Sequence, residues 1–435
     1  MRSFQKGEKE MNKLDRKASA LLAKNRRTAT HNGRTYIYTV PSPKTYPFQW
    51  FWDSCFHAMV YAALGEVEHA KNEMESLLSW QQEDGSIPHV IFWDQSKVRR
   101  FPRRWHLLES HGGISSFFPW APKPKHTALM QPPVLAEALD RIAKAGGDPR
   151  WFAEVLPKAN RYYQHLLDVR DPDRDGLISI VAPFESGLDY SPAYDPVLNL
   201  KPNSPLFVLA FAPRIVTLSN KIRFGNDIPR ILAKGRFHVE DVFVNGLLAH
   251  NLQILAELNK QAGNPYEHWI ASALKTSESL LGKCYDKERR AFFNLSGRNE
   301  RRFPVLSIHC FIPLLAPYMP VQIARDVIEA HLLNDKEFWP PYPVPSVSMS
   351  ESSFTAAPRY FLRGDLIWRG GSWVNTNRYC AIILERYGYN GQADFLRRKT
   401  RMAFLQNNFR EYCNPITGEG YGAENFGWST LVVDM

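Results

Sequence analysis

Recurrent patterns of helix, tight turn and helix constrain the fold of this chain more than any other feature. Apolar residues recur at helical spacing, and turn signals interrupt them near Gly65, at Gly146–Pro149, at Gly263–Pro265, around Ala316–Pro320 and at Gly388–Gly391. In the second turn, Asp148 can cap the following helix and Pro149 can take its first position. In the third, Glu267 is placed to close a capping box on Asn264. Irregularly spaced helical hairpins predict a closed or stacked all-α array rather than a solenoid of equal repeats.

Strand signals are short and local. The segments Leu177–Val181 and Ala291–Leu295 predict small β-hairpins in long connections. Strands do not alternate with helices, so no parallel sheet is expected. We predict a basic helical segment over residues 1–35, packed on or extending from the rest, and a single domain over residues 36–435.

The positive charge is concentrated at the N-terminus. The chain carries 54 Lys and Arg against 44 Asp and Glu, for a net charge of +10. Residues 1–35 hold ten basic and three acidic side chains, so the remainder of the chain is close to neutral. We interpret the segment as a solvated basic helix rather than a nucleic-acid-binding arm.

The cysteines and the distribution of apolar residues indicate the cellular compartment of the protein. The five cysteines are Cys55, Cys284, Cys310, Cys380 and Cys413. An odd number without a Cys-x-x-Cys pair indicates a reducing compartment and no zinc site. There is no apolar signal region and no run of membrane-spanning length. These features predict a cytoplasmic protein without a membrane partner.

Connections between the predicted helices are rich in aromatic residues, His and carboxylates. The clusters are the segments 46–53, 85–89, 126–131, 184–192, 368–375 and 411–428. Proteins bind sugars with such residues, because aromatic rings stack on the sugar's C–H faces while acids, amides and His hold its hydroxyls. A single cluster is weak support, since Trp50 alone fits core packing as well as a sugar platform.

Together the clusters resemble glycoside hydrolase family 63. The motifs, in order, are Tyr-Pro-Phe-Gln-Trp-Phe-Trp-Asp, Ile-Pro-His, Gln-Pro-Pro, Glu-Ser-Gly-Leu-Asp-x-Ser-Pro, Trp-Arg-Gly and Glu-Tyr-x-Asn-Pro-x-Thr-Gly. The resemblance runs from about residue 20 to the C-terminus, and it is greatest to short bacterial-type members that hydrolyse mannosylglycerate and glucosylglycerate. It implies an (α/α)6 toroid, a double ring of helical hairpins with short β-hairpins in long loops, and no cofactor.

The resemblance also implies an inverting mechanism with two carboxyl groups. One protonates the leaving oxygen, and the other activates a water on the opposite face of the sugar. By motif, Asp189 is the expected general acid and Glu411 the expected general base. Phe184 and Tyr190 would help to keep Asp189 protonated by excluding water. Glu185 is the rival acid, with a hydrogen-bonded loop anchor as its alternative role.

Other positions that match the motifs are expected to bind substrate. Asp53 would hold sugar hydroxyls, Gly187 would let backbone approach the sugar, and Tyr46 would face the leaving group. The expected wall of the pocket is Trp50, Trp52, Trp368 and Trp373, and its expected rim is His89 and Gln131. A buried His89 with all its partners inside the protein, and no ligand contact, stays an alternative.

Two further patterns are ambiguous. The stretch Asp171–Gly176 begins like a calcium-binding loop, but its twelfth position is Ala182 and no EF-hand helix follows, so we expect an Asx-rich turn and no metal. The basic run over Lys97–Arg104, with Arg99, Arg100, Arg103 and Arg104, is either a solvated loop or a lip that steers an anionic substrate.

The sequence therefore predicts an inverting α-glycoside hydrolase of a small α-linked compound such as mannosylglycerate or glucosylglycerate. A trehalase-like hydrolase of neutral di- or oligosaccharides is the first alternative, because Ile367 replaces an aromatic residue that relatives often carry before Trp-Arg-Gly. A catalytically inactive sugar-binding protein is the second, and the presence of both Asp189 and Glu411 argues against it. A nucleic-acid partner is not expected, and a homo-oligomer is left open.

Overall fold

Helices dominate the computed structural model, which describes residues 2–98, 103–112, 122–361 and 364–435. The α-helices in this part of the chain are α1 (Arg2–Asn25), α2 (Phe51–Ala63), α3 (Val67–Leu78), α4 (Leu135–Lys144), α5 (Pro149–Val169), α6 (Leu206–Phe224), α7 (Ile228–Lys234), α8 (Val242–Gln261), α9 (Glu267–Ser279), α10 (Val321–Val327), α11 (Val374–Arg386) and α12 (Asn390–Gln406). The 3₁₀ helices are Gln95–Lys97, Arg103–Glu109, Pro183–Ser186, Pro192–Tyr194, Ile308–Leu315 and Gly427–Val433. The π-helical segments Leu280–Cys284 and Ile328–Leu332 directly follow α9 and α10.

The strands are short and lie in the connections. They are β1 (Arg26–His31), β2 (Arg34–Thr39), β3 (Gln49–Trp50), β4 (Val90–Ile91), β5 (Ser179–Ile180), β6 (Val239–Glu240), β7 (Tyr285–Asp286), β8 (Ala291–Phe292), β9 (Leu295–Ser296), β10 (Arg301–Arg302), β11 (Tyr360–Phe361), β12 (Gly364–Asp365), β13 (Tyr412–Cys413) and β14 (Gly420–Tyr421). One sheet has four strands in the order β10-β9-β6-β5, and the others pair two strands each.

The predicted turns join helical hairpins as expected. The pairs are α2 with α3, α4 with α5, α8 with α9 and α11 with α12. At the turn between α4 and α5, Asp148 accepts a hydrogen bond from the Arg150 N–H at 2.8 Å, and Pro149 opens the helix, as predicted. The turn before α9 differs, because the N-cap is Tyr266, whose N–H donates to the Glu267 carboxylate. The predicted capping box on Asn264 is therefore wrong.

Two local predictions of secondary structure are also wrong. The N-terminal segment is helical only to Asn25, and residues 26–39 form the β1–β2 hairpin around Asn32 (φ 49°) and Gly33 (φ 78°). Positive φ at both central residues is what a tight two-residue hairpin turn requires, and Asn-Gly favours it. Leu177–Val181 forms no hairpin of its own, because its strand β5 pairs with the distant β6.

The N-terminal helix packs on the rest of the protein. Its buried residues Leu14, Ala18, Leu21 and Leu22 recur at helical spacing. They belong to the main hydrophobic cluster, and α1 lies against the 3₁₀ helix Gly427–Val433. Among the described residues, no helix combines the length and apolarity needed to cross a bilayer.

Burial separates the helices into an inner and an outer layer. In α2, 12 of 13 residues are buried, whereas in α12 only five of 17 are. The inner elements touch in cyclic order: α2 packs on α4, α4 on α8, α8 on the 3₁₀ helix Ile308–Leu315, that helix on α11, α11 on the 3₁₀ helix Gly427–Val433, and the latter on α2. Six inner elements thus form a closed circuit.

A buried ion-pair network ties this circuit together. The guanidinium of Arg378, on α11, donates to Glu137 on α4 at 2.6 Å and to Asp434 near the C-terminus at 2.7 Å. Glu137 also accepts a hydrogen bond from the Tyr379 hydroxyl at 3.0 Å. Arg378 is 1% exposed, so both of its carboxylate partners are drawn out of water with it.

We predict that Arg378→Leu lowers the free energy of unfolding by about 3–5 kcal/mol, because it leaves buried Glu137 without its cation and removes one of the two arginines that pair with Asp434. Arg397→Leu is the matched control, since Arg397 pairs with the exposed Glu385, and it should cost about 1 kcal/mol or less. Chemical denaturation of both variants measures the difference. Equal losses in the two variants would show that the buried network does not link the inner elements.

Candidate active site

The N-terminus of α2 brings three of the sequence motifs together. The Phe51 N–H donates to the carbonyl oxygen of His89 at 3.0 Å, and the Trp52 N–H donates to the side-chain oxygen of Gln131 at 3.1 Å. These bonds satisfy helix-end amides that have no partner within the helix. Asp53 lies in the same first turn, where the helix dipole favours negative charge.

Glu185 serves as an anchor for the loop that carries Asp189. Its carboxylate takes both terminal nitrogens of Arg170, each at 2.8 Å. It also accepts the N–H groups of Val181 at 2.7 Å and Met130 at 3.1 Å. The side chain is fully buried, and four donors occupy its oxygens. The interpretation of Glu185 as a loop anchor is confirmed, and a role as proton donor would require breaking this network.

Asp189 is half-buried beyond that anchor, among both apolar and charged groups. Burial and then the negative charge of Glu109 raise the pKa of Asp189 well above its usual value, while the positive charge of Arg214 opposes the rise. Arg214 donates to the Tyr190 hydroxyl at 2.9 Å and lies over the ring of Phe184. Phe184 and Tyr190 therefore flank the Asp189 loop, as the sequence predicts.

Glu411 is held in place at both of its oxygens. One oxygen accepts the Tyr46 hydroxyl at 3.0 Å, and the other accepts the Ala423 N–H at 2.7 Å. Burial raises the pKa of Glu411 to about 7, although these two bonds favour the charged form. Gly422 (φ 73°) is required here, because a Cβ at that position would lie 2.6 Å from a carboxylate oxygen of Glu411.

Asp53 adds a third carboxyl group to the site. It is 3% exposed, and burial followed by the charge of Glu411 raises the pKa of Asp53 well above its usual value. Asp189 adds to the same rise. Burial and the mutual repulsion of these carboxyls therefore favour the protonated form at more than one of them.

Aromatic rings form a layered wall. Trp368 stacks on Trp373 at 3.7 Å between ring centroids, and Trp373 stacks on Tyr412 at 4.8 Å. Trp52 contacts Trp428 edge-on at 4.9 Å and tilts toward Trp368 at 6.4 Å. Trp373 is fully buried with both faces covered. The structure thus puts Trp373 behind the wall, where it supports Trp368.

Gly187 makes room for one of these rings. A Cβ on Gly187 (φ 72°) would lie 2.4 Å from the indole of Trp52. The close contact with Trp52 by itself explains why this position is glycine. The expected approach of the Gly187 backbone to a sugar stays a prediction.

His89 is enclosed by protein. It is 1% exposed, with Nε2 at 3.5 Å from Glu109 and Nδ1 at 3.3 Å from the hydroxyl of Thr127. Partners at both ring nitrogens favour the alternative in which His89 contacts no ligand. Trp50, half-buried, packs against His89, Tyr46 and His106 at 5.6, 5.8 and 5.3 Å between ring centroids.

The Trp-Arg-Gly loop is tied to the segments of the expected acid and the expected base. Arg369 forms two hydrogen bonds with Asp195, at 3.1 and 2.6 Å, and a third with the carbonyl of Tyr190 at 2.9 Å. Ser372 and Cys413 exchange backbone hydrogen bonds at 2.8 and 2.9 Å. The aromatic wall is thereby fixed to the loop of the expected acid on one side and to the segment of the expected base on the other.

Sequence reasoning missed Glu109 and Arg214. Glu109 stands three residues after His106, a spacing that puts both on one side of a helical turn. Arg214 is an isolated charge within the apolar run 206–219. Both signals are present in the chain, but neither lies within the six motifs.

Four carboxylates outside this site could hold a cation. Each offers one carboxylate oxygen, and these oxygens all lie within 4.8 Å of one another. The four residues are Asp173, Asp175, Glu240 and Glu300. The ammonium of Lys283 binds Asp175 and Glu300, each at 2.7 Å. Asp171 accepts the N–H groups of Asp175 and Gly176, so the predicted Asx-rich turn is confirmed. The sequence interpretation missed that Glu240 and Glu300 join the turn from distant positions.

The basic run falls largely outside the described residues. Arg99 and Arg100 lie outside them, and Arg103 and Arg104 open the 3₁₀ helix Arg103–Glu109. Lys97 pairs with Asp94 at 2.9 Å. Whether the run steers an anion stays a prediction.

The chain is similar in sequence and in structure to known glycoside hydrolases. Residues 46–429 match the family described as "Mannosylglycerate hydrolase MGH1-like glycoside hydrolase domain". A mannosylglycerate hydrolase of Rubrobacter radiotolerans is 30% identical over 430 residues, 92% of each chain. A glucosylglycerate hydrolase of Mycolicibacterium hassiacum is 27% identical over 91% of this chain and 93% of its own. The crystal structure of a family 63 mannosylglycerate hydrolase from Thermus thermophilus, in complex with Tris and D-glycerate, superposes with a TM-score of 0.81 at 26% identity, over 97% of this chain and 98% of that one.

Proposed function

The chain belongs to the family of mannosylglycerate hydrolase MGH1-like glycoside hydrolases, and on that premise we propose that it hydrolyses a small α-linked glycoside with an anionic leaving group, such as mannosylglycerate or glucosylglycerate, with inversion. The observation that carries the proposal is the set of three carboxyls, Asp53, Asp189 and Glu411, whose pKa values are all raised by burial. The closed circuit of six inner elements supports an (α/α)6 toroid as the scaffold.

The two proposed catalytic groups need opposite protonation states. Glu411, with a pKa raised to about 7, loses its proton as the pH rises through neutrality and can then take a proton from water. Burial raises the pKa of Asp189 well above its usual value, which favours the protonated form that can donate to the glycosidic oxygen. Activity should therefore rise as Glu411 ionises and fall when Asp189 ionises.

The groups beside Asp189 favour a carboxylate on the leaving group. An inverting acid protonates the oxygen of the departing group, so that group leaves past Asp189. Arg214 influences the pKa of Asp189, and its guanidinium also binds Tyr190. A guanidinium fork recognises a carboxylate better than any neutral hydroxyl. The similar Thermus structure was solved with D-glycerate, which is an anion of this kind.

The cysteines fit the predicted cytoplasmic location. All five are unpaired and buried. Reducing conditions keep thiols in this state.

We predict that the purified protein hydrolyses mannosylglycerate or glucosylglycerate faster than trehalose or kojibiose. Asp189→Asn and Glu411→Gln should each lower kcat by about 10²–10⁴-fold, because each removes one proton-transfer group. Circular dichroism checks that both variants fold. A variant that keeps more than half of the wild-type rate would contradict the role assigned to that residue, and a preference for a neutral disaccharide would contradict the anionic leaving group.

We also predict that an α-linked substrate releases the β-anomer of the sugar, as inversion at the anomeric carbon requires. Proton NMR of the first product, recorded before mutarotation, distinguishes the two anomers. An α-anomer at early times would mean a retaining enzyme, and Glu411 would not be the group that activates water.

The role of Arg214 is tested by Arg214→Gln. We expect KM for a glycerate glycoside to rise about 10–100-fold more than KM for the methyl glycoside of the same sugar, because only the former loses a charge-assisted contact. Arg223→Gln is the matched control on the same helix, where Arg223 is exposed and lies over the ring of Phe224. Equal effects of Arg214→Gln on both substrates would show that Arg214 does not select the anion.

A further inference from the structure

Glu109 is a buried carboxylate with a firmly fixed backbone. It is 5% exposed and closes a 3₁₀ helix. Its own carbonyl accepts the Ala128 N–H at 2.7 Å. The carbonyl of the next residue, Ser110, accepts side-chain N–H groups from Asn226 at 2.7 Å and from Lys221 at 2.8 Å. These bonds fix the backbone at Glu109 and Ser110.

The carboxylate of Glu109 binds two histidines. One oxygen accepts a hydrogen bond from His106 Nδ1 at 2.9 Å and lies 3.5 Å from His89 Nε2. Burial alone would raise the pKa of Glu109, but the two histidines outweigh it and leave the pKa well below its usual value. A lowered pKa favours the negatively charged form of Glu109 near neutral pH.

The two histidines enclose an aromatic residue of the site. His106 contacts Trp50 edge-on at 5.3 Å and His89 contacts it at 5.6 Å. Trp50 in turn contacts Tyr46, whose hydroxyl binds Glu411. A single carboxylate thus sets the position of two rings around a residue that is expected to wall the sugar pocket.

The 3₁₀ helix that ends at Glu109 packs against α6, whose Arg214 binds Tyr190 beside the proposed acid. Several charged or titratable groups interact electrostatically with Asp189. They are Glu109, Arg214, Glu411, Tyr46, Asp53, Tyr190 and Tyr194. Burial aside, Glu109 has the largest effect on the pKa of Asp189. Arg214 acts in the opposite direction.

We propose that Glu109 is a positioning residue of the reaction, which holds His89 and His106 against Trp50 and presents a fixed negative charge to Asp189. The inference rests on the proposed function, because it takes Asp189 as the general acid. Its consequence is electrostatic: a nearby negative charge disfavours ionisation of Asp189, so the acid keeps its proton to higher pH. Without that charge, Asp189 would ionise at lower pH.

The experiment is a pH profile of kcat/KM for wild type, Glu109→Asp and Glu109→Gln. The basic limb of this profile reports the ionisation of the acid in the free enzyme. In Glu109→Gln we expect the limb to move to lower pH by about one unit, because the neutral amide no longer repels the Asp189 carboxylate. Glu109→Asp keeps the negative charge but shortens the side chain by one methylene. The basic limb of its profile should therefore also move to lower pH, by less than in Glu109→Gln.

A purely structural role for Glu109 would lower stability and leave the basic limb in place. Glu329→Gln is the matched control, because Glu329 is an exposed carboxylate that accepts one hydroxyl, from Tyr389, and its pH profile should equal that of wild type. Either Glu109 variant, folded and with a wild-type limb, would overturn the proposal. If the glutamine variant does not fold, the aspartate variant decides.

Infrared titration separates this inference from the proposed function. The carbonyl band of protonated Asp189, assigned by its loss in Asp189→Asn, should disappear at lower pH in the Glu109 variants than in wild type, with no substrate present. A wild type that hydrolyses none of the glycosides would contradict the proposed function, yet the band would still report the effect of Glu109. A band that titrates identically in wild type and both variants would overturn the inference alone.

Discussion

The site depends on the desolvation of Asp53, Asp189 and Glu411, which raises the pKa of each carboxyl. Three other buried carboxylates are each bound by an arginine: Glu137 by Arg378, Glu185 by Arg170 and Asp195 by Arg369. Within the described part of the chain, the three site carboxyls have no such ion pair. An ion-paired acid stays charged and fixes structure, whereas a desolvated acid without one holds its proton to higher pH and can transfer it. An arginine partner thus distinguishes these three anchors from the three site carboxyls.

This separation divides the motif residues into two kinds. Glu185 and Arg369 belong to the motifs, but each holds a loop in place, and the side-chain oxygen of Gln131 accepts the Trp52 N–H at the start of α2. Gly187 and Trp373 likewise contact neighbouring rings. Asp53, Asp189 and Glu411 remain as the proposed reactive or binding groups. A motif of this type therefore specifies the geometry of its loops as much as the contacts with a ligand.

The sequence predicts what local patterns determine. The turn at Gly146–Pro149 could be predicted because glycine, a capping aspartate and proline each act on neighbouring residues. Strand β5 could not, because its two residues are fixed by pairing with β6, some 60 positions away. The positions of the proposed acid and base were available only through the resemblance of their motifs. Glu109 and Arg214 act on Asp189 only through the folded structure, so no short pattern could assign their roles.

The leaving-group side of the site is built on elements outside the motifs. Glu109 closes a 3₁₀ helix and Arg214 lies on α6, and buried Lys221 and Asn226 join these two elements. Glu109 raises the pKa of Asp189 and Arg214 lowers it. If the carboxylate of a leaving group pairs with Arg214, it offsets the positive charge that favours ionisation of Asp189. Binding of an anionic substrate would then raise the pKa of Asp189 in the complex. A neutral disaccharide would leave that pKa lower, so the acid would ionise more easily. On the proposed function, substrate selection and acid strength would in this way be set by the same pair of elements.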